Sequence, residues 1–252
     1  MLEIECKSAR QIGLMRQAGK IVAGALRLAR ELAVSGVTTD YIDVELEKYI
    51  HKNHGSPMFK GYRGYPRSIC TSINEEVVHG IPGPRRLLTG DILSVDVGVE
   101  YKKYMADGAI TIPIGEVSPE AGRLVETCEE ALSRAIKVIR PGVMLSRVAE
   151  CIQKYVEGRG YSVVKDYAGH GIGRRMHEDP QVPNYVNEEL LANDIDLLEG
   201  TALAIEPMIC MGGGETEVLE NRWTVVTKDR KLSAHFEHTV VVTDTGAEVL
   251  TV

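Results

Sequence analysis

Leu93-Ser-Val-Asp-Val-Gly-Val99, followed after a short polar link by Met105-Ala-Asp-Gly108, decides how this chain is read. Side chains in a strand point alternately to opposite faces, so Asp96 shares a face with Ser94 and Gly98 while Val95 and Val97 point the other way. The two runs, about 91–99 and 105–113, predict a hairpin turning at Glu100-Tyr-Lys-Lys103 with one Asp on each strand. Aspartate is depleted in strands, and a buried carboxylate without a partner is costly. Few Lys or Arg stand near enough in sequence to compensate.

The same conflict recurs further along. Glu206 lies in Ala202-Leu-Ala-Ile-Glu-Pro207, Glu237 in Ala234-His-Phe-Glu-His-Thr-Val-Val-Val242, and His170 in Gly169-His-Gly-Ile-Gly173. Any one of these acids alone reads most simply as a structural group. Together, Asp96, Asp107, Glu206, Glu237 and His170 form a ligand set for hard or borderline metals. Two divalent cations bring four positive charges, which four carboxylates cancel; two-metal sites hold their ions roughly 3.5–4 Å apart. The expected cofactor is therefore two divalent cations. Manganese, iron(II) and cobalt suit the oxygen-rich set better than a structural zinc site does, and zinc stays among the candidates.

Helices flank these strands. Ser8-Ala-Arg-Gln11 matches a capping box, and Leu14, Ala18, Ile21, Val22, Ala25, Leu28 and Leu32 recur at helical spacing. A second helix carries Ile42, Leu46, Tyr49 and Ile50. The plan repeats after Ser118-Pro-Glu, a helix start with Pro at its first position. Leu124, Cys128, Ala131, Ala135 and Ile139 lie on one helix, and Val148, Ile152, Tyr155 and Val156 on the next. Ser35-Gly-Val37 overlays Pro141-Gly-Val143, and Lys48-Tyr-Ile50 overlays Lys154-Tyr-Val156, both at an offset of 106 residues. Strands about 201–209 and 222–243 then bear Glu206 and Glu237. Each half reads as two helices and a strand pair with two acids, which predicts an internal duplication with the cluster between the halves. Gly212-Gly-Gly214 reads as a mobile loop.

Two histidines have context beside the cluster. His79 sits in Asn74-Glu-Glu-Val-Val-His-Gly-Ile-Pro82, and His177 in Arg175-Met-His-Glu178, seven residues past His170. Either suits a surface role when taken alone; near metals they become candidates for proton transfer and oxyanion stabilisation. His51, His54, His235 and His238 read as structural. Gly169-His-Gly-Ile-Gly-Arg-Arg175 lacks the P-loop Lys-Ser/Thr and the dinucleotide spacing, so its glycines read as room for a tight path around His170. No Gly-x-Ser-x-Gly elbow supports a serine nucleophile.

Composition bounds the rest. The chain has 252 residues, 44% hydrophobic and 26% charged, and a formal charge of −7, which argues against a general nucleic-acid binder. Five scattered cysteines without a CxxC pair suit a reducing compartment. No signal peptide or membrane span is recognisable. A cytoplasmic protein with no membrane association and no nucleic-acid specificity is the expectation.

Taken together, Asn74…His79-Gly-Ile-Pro82, Asp96, Asp107, Gly169-His-Gly-Ile-Gly173, His177-Glu178, Val182-Pro-Asn-Tyr185, Ile205-Glu-Pro-Met208 and Ser233-Ala-His-Phe-Glu-His-Thr239 resemble the type I methionine aminopeptidases. The resemblance runs from about residue 8 to the C-terminus and looks like the short bacterial form. It implies an α+β pita-bread fold: two pseudo-symmetric halves of mainly antiparallel, curved sheet covered by helices, with a dimetal site between them. One catalytic domain over 1–252 is expected, with halves of about 8–113 and 117–252. It implies Asp96, Asp107, His170, Glu206 and Glu237 as ligands, with Asp107 and Glu237 bridging. His79, His177 and Glu206 become the catalytic side chains, acting beside a bridging hydroxide that the metals activate. The methionine pocket corresponds to Phe59, Tyr62, Tyr65, Cys70, Met176 and Trp223, with His79 and His177 touching the substrate.

The implied reaction removes the initiator methionine from nascent polypeptides whose second residue is small, at the ribosome, by a monomer. The chain departs from the family pattern in four places. Phe59 stands where a small Cys is common, Met176 where Phe is common, His235 where Gln is usual, and Tyr104-Met-Ala106 replaces Trp-x-Gly. These leave two alternatives: a non-housekeeping paralogue with altered substrate preference, or a nascent-chain or ribosome-binding relative without strong activity. A proline-specific relative would carry an additional N-terminal domain. A two-metal phosphoesterase would want Lys or Arg around the cluster.

Overall fold

The computed structural model describes residues 4–252. In the first half lie α1 (Ala9–Leu32), α2 (Thr39–Lys52), β1 (Ser56–Pro57), β2 (Cys70–Ile73), β3 (Glu76–Val78), β4 (Ile92–Tyr101) and β5 (Tyr104–Pro113). Next come α3 (Pro119–Val138), α4 (Leu145–Glu157), β6 (Ser162–Val163), β7 (Gly169–Gly171), β8 (Glu178–Val182), α5 (Glu188–Ala192) and β9 (Ala202–Ile205). The chain closes with β10 (Met208–Cys210), β11 (Thr216–Val218), β12 (Val225–Thr227), β13 (Ser233–His235), β14 (Glu237–Val242) and β15 (Ala247–Val249).

The helix starts follow from their caps. Ser8 accepts from the backbone N–H of Gln11, whose side chain answers to the Ser8 backbone, completing the capping box. Ser118 caps α3 through the Ala121 N–H, with Pro119 at the first turn. The hairpin forms as its pattern predicts, with ten residue pairs from Ile92↔Pro113 to Tyr101↔Tyr104. The turn needs left-handed backbone at Lys102 and Lys103, with φ of 50° and 70°.

One nine-stranded sheet runs β1-β4-β5-β14-β9-β7-β8, with β2 also on β4 and β15 also on β14; every pairing is antiparallel. Helices cover one face. Val95, Val97 and Val99 pack with Ala18, Val22, Ile42, Leu46 and Ile50 of α1 and α2. Leu203, Ile205, Val240 and Val242 pack with Leu124, Cys128, Val148 and Ile152 of α3 and α4. Each fully buried aliphatic side chain contributes about 1.5–3 kcal/mol, so these two clusters hold the helices to one face and leave the other for polar work.

The expected second strand pair is broken where the sequence reads as continuous. The stretch 201–209 divides into β9 and β10 around Glu206-Pro207, and 222–243 divides into β12, β13 and β14. Proline cannot donate to a ladder, and Arg230 turns the chain with φ 59°. Gly213 is open to solvent, but its neighbours are closely packed: a Cβ at Gly212 would collide with the Asp229 carboxylate, and one at Gly214 with the Val163 carbonyl. Among the described residues no helix is long and apolar enough to cross a membrane.

Candidate active site and metal centre

Register explains how distant acids meet. Cys70 faces Asp96 across β2 and β4, Asp96 faces Ala109, and Ala109 faces Glu237 across β5 and β14. Directly opposed residues share a face, so Cys70, Asp96 and Glu237 point the same way. Asp107 lies two residues before Ala109, on that same face. Thr239, two residues past Glu237, faces Ala204, which in turn faces His170. One side of the sheet therefore gathers four of the five donors, and Glu206 joins them just past the end of β9.

Asp107, His170 and Glu237 each place one donor atom within 4.8 Å of the others. His170 Nε2 lies 3.6 Å from Glu206 Oε1. His170 Nδ1 donates to the Gly171 carbonyl at 2.9 Å, which leaves the Nε2 lone pair facing the acids, as metal-binding imidazoles are arranged. Glycines make the close path around this ring: a Cβ at Gly169 would collide with the Ala204 carbonyl, and one at Gly171 with the Asp179 carbonyl. Thr239 Oγ1 accepts from the Asp107 N–H and donates to the Asp107 carbonyl, both at 2.8 Å, which fixes that aspartate's backbone.

Burial opposes ionisation of every acid here. It pushes Asp107 up to about 7 despite help from Asp96 and the Gly108 N–H. It drives Asp96, Glu206 and Glu237 well above the carboxylate range, and the neighbouring acids add to the rise. Burial likewise lowers His170 and His79 to about 4. Among the described residues no lysine or arginine pairs with the acids in this cluster. Asp96 Oδ1 and Glu237 Oε1 are buried without a hydrogen-bond partner. Oxygen donors with one neutral imidazole, orphaned atoms and mutual repulsion are what divalent cations relieve, so the residues present fit such a cofactor.

A pH dependence follows for metal-free protein. A carboxyl whose folded pKa is raised stabilises the fold fully below its unfolded pKa, and that contribution is lost as pH rises through the folded value. The lowered histidines act oppositely, but only up to their unfolded pKa of about 6.5. Above that the raised carboxyls dominate, and the buried thiols of Cys70, Cys128 and Cys210, also raised, act in the same direction as pH nears 8.5. Chelator-treated protein should therefore melt at a lower temperature at pH 8.5 than at pH 6.5, and manganese should add most stability at the higher pH. A melting temperature flat or rising across that window in chelator would contradict the assignment.

The acids form the floor of a cavity of about 250 Å³. Phe59, Tyr62, Tyr65, Cys70, Met176 and Trp223 line it, as do His79 and His177, so every residue expected at the methionine pocket is present. Phe59, Tyr65, Cys70 and Met176 form one apolar cluster, and Trp223 sits edge-on to Tyr65 at 5.0 Å. Phe59 rests over Gly98, where a Cβ would come within 2.8 Å of its ring. His177 packs against the His170 ring at 4.4 Å, and its Nδ1 lies 2.9 Å from the Tyr62 hydroxyl. His79 follows β3 in left-handed backbone, φ 59°, with its ring edge-on to Tyr167. A larger crevice of about 850 Å³, between α3 and the strands around His238, holds none of these groups.

Two participants escape the sequence reading. Arg63 lines the cavity. His235, expected to be structural, puts Nε2 at 3.8 Å from Glu206 Oε2, buried and without a hydrogen-bond partner. His235 and Glu237 lie on different strands, β13 and β14, so no period in the sequence links them. His238 Nδ1 lies 2.8 Å from Thr251 Oγ1.

A helix-backed antiparallel sheet whose open face carries this acid and imidazole set defines a metal-dependent hydrolase of the pita-bread fold. Residues 13–244 match metallopeptidase family M24. The chain is 47% identical to the methionine aminopeptidase of Clostridium acetobutylicum, over 97% of each chain. It is 44% identical to methionine aminopeptidase 1 of Bacillus subtilis, over 98% of this chain and 99% of that one. The crystal structure of a methionine aminopeptidase from Thermotoga maritima matches with a TM-score of 0.96 at 44% identity, covering 99% of each chain. The chain belongs to metallopeptidase family M24 and, within it, to the type I bacterial methionine aminopeptidases.

Proposed function

We propose that the protein binds the N-terminal methionine of a nascent polypeptide in the cavity and hydrolyses the first peptide bond when the second residue is small. The observation that carries this is adjacency: an apolar pocket opens directly onto the carboxylate and imidazole cluster. At about 250 Å³ the cavity is smaller than the roughly 300–1,000 Å³ of drug-sized sites, which suits a single side chain.

Asp96, Asp107, His170, Glu206 and Glu237 would hold two divalent cations. Bound there, such cations lower the pKa of water and polarise a carbonyl. The chain's own groups do the rest. The ring of Phe59, Tyr62, Tyr65, Cys70, Met176 and Trp223 takes the methionine side chain and excludes water. His177 donates to the oxygen of the scissile carbonyl as it gains charge. Glu206 moves a proton towards the leaving amine, and His79 contacts the amide nitrogen. Phe59 and Met176 exchange a rigid ring and a flexible thioether across this pocket, which supports a substrate preference of its own.

Residues 8–113 and 117–252 are read as repeats within one catalytic domain, since each puts two helices behind strands bearing acids. The donors all come from one chain, which supports action as a monomer. Five free cysteines, three of them buried, suit a reducing cytoplasm, where chains emerge from the ribosome.

The test is metal-depleted protein assayed on Met-Ala-Ser with manganese, iron(II), cobalt or zinc added back. Methionine release should depend on the metal, fall when valine replaces alanine, and vanish when the peptide is N-acetylated. Release that ignores metal, or none with any of the four, would refute the reading.

A further inference from the structure

Lys7 is only 5% exposed, although it belongs to no helix or strand and stands one residue ahead of the α1 cap. Lysine is almost never buried unless paired. Its Nζ donates to Glu178 Oε2 at 2.7 Å and to Glu5 Oε2 at 3.2 Å. The other oxygen of Glu178, Oε1, accepts the backbone N–H groups of Arg174 and Arg175 at 2.8 and 3.0 Å. One carboxylate thus ties the N-terminal segment to the turn between β7 and β8, and that turn carries Met176 and His177 into the cavity.

Glycines clear the way for this contact. A Cβ at Gly173 would lie 2.6 Å from Lys7 Cε and 2.9 Å from Glu178 Oε2. One at Gly200 would lie 2.8 Å from the Lys7 carbonyl oxygen, and the Lys7 N–H donates to the Gly200 carbonyl at 2.7 Å. Backbone and ammonium are therefore both seated. The turn itself has little regular support: Gly173 N–H reaches the Arg175 carbonyl at 3.2 Å, and the Gly173 carbonyl accepts from Met105 at 2.8 Å.

We propose that Lys7 is a positioning residue: through Glu178 it sets the turn that presents His177 and Met176 to the substrate. This rests on the roles given to those two residues above. An ion pair taken from water stabilises only where geometry and extra hydrogen bonds are good, and both are present here. Releasing the ammonium leaves a nearly buried carboxylate with two amide donors and no counter-charge, so the turn relaxes towards water. A displacement of about 1 Å at a catalytic group costs up to roughly a hundredfold in rate.

The experiment compares Lys7→Met, Glu178→Gln and His177→Ala with the double variant Lys7→Met/His177→Ala, all as full-length chains loaded with manganese. Lys7→Met and Glu178→Gln should each lower kcat on Met-Ala-Ser about tenfold or more. Manganese affinity by calorimetry should stay within about twofold, because neither side chain offers a donor atom to the metal cluster. In the His177→Ala background, Lys7→Met should cost no further kcat. Glu178→Gln keeps an acceptor for the two amides, so it serves if Lys7→Met folds poorly. Wild-type kcat in both single variants, equal kcat losses for Lys7→Met in the two backgrounds, or a parallel loss of manganese affinity would overturn the proposal. A His177→Ala protein with normal kcat would instead refute the role given to His177.

Discussion

Asp107→Asn should abolish peptidase activity and high-affinity metal binding together, and at the same time make the metal-free protein more stable at pH 8.5. The two outcomes have one cause. Asp107 stands between Asp96, Glu206 and Glu237 in a buried pocket, and its carboxyl is held up to about 7 by that burial. The amide keeps the shape and the acceptor for the Gly108 N–H, which reaches Asp107 Oδ1 at 3.1 Å in the native chain. It removes the charge that a cation pair needs and that the empty fold resists. Loss of the Lewis acid forfeits several kcal/mol of transition-state stabilisation, so kcat/KM should fall by about a thousandfold or more. The gain in metal-free stability should be on the order of a few kcal/mol at most, read as a higher melting temperature in chelator. Calorimetric titration with manganese checks the first outcome and thermal unfolding at pH 8.5 the second. A variant that still binds manganese tightly and still releases methionine would remove Asp107 from the centre.

The readable part of this site is the part that rests on short-range pattern. Asp96 and Asp107 stand out because each interrupts an apolar strand with a residue that strands avoid, and alternation alone puts Asp96 with Gly98 and away from Val95. The capped helices at Ser8 and Ser118 are legible for the same local reason. Glu206 is visible as an acid after four apolar residues, but its strand ends there because Pro207 follows. What is not legible depends on contacts between remote segments. Gly212 and Gly214 look like freedom in sequence, yet they exist to let Asp229 and Val163 come close. His235 looks like one more histidine until Glu206 is seen 3.8 Å away. Lys7 carries no local signal in the sequence, because its partner Glu178 is 171 positions further on. Long-range pairing leaves no period in the chain, so motif spacing cannot report it.

His177→Ala should separate chemistry from metal binding. The imidazole lines the cavity beside the acids without offering a donor atom to their cluster, and its ring packs on His170 at 4.4 Å. Burial and the neighbouring Arg63 lower its pKa, which favours the neutral ring with one N–H. The Tyr62 hydroxyl, 2.9 Å from Nδ1, selects which nitrogen carries it. If that hydroxyl donates, Nε2 keeps its hydrogen and points a neutral donor at the substrate oxygen. Removing one such donor in comparable sites costs about 10²–10³ in kcat. The expected result is a fall of that size in kcat, with manganese affinity changed by less than about threefold and KM little altered, since the methionine pocket proposed above is lined by Phe59, Tyr65 and Trp223. Tyr62→Phe should lose less than His177→Ala, and adding it to His177→Ala should cost almost nothing further in kcat, because the hydroxyl would act through the imidazole. Equal losses of kcat and metal affinity in His177→Ala would mean that the ring merely props His170 in place. A normal kcat would mean that the developing charge is met by other groups, and the donor role would pass from His177 altogether.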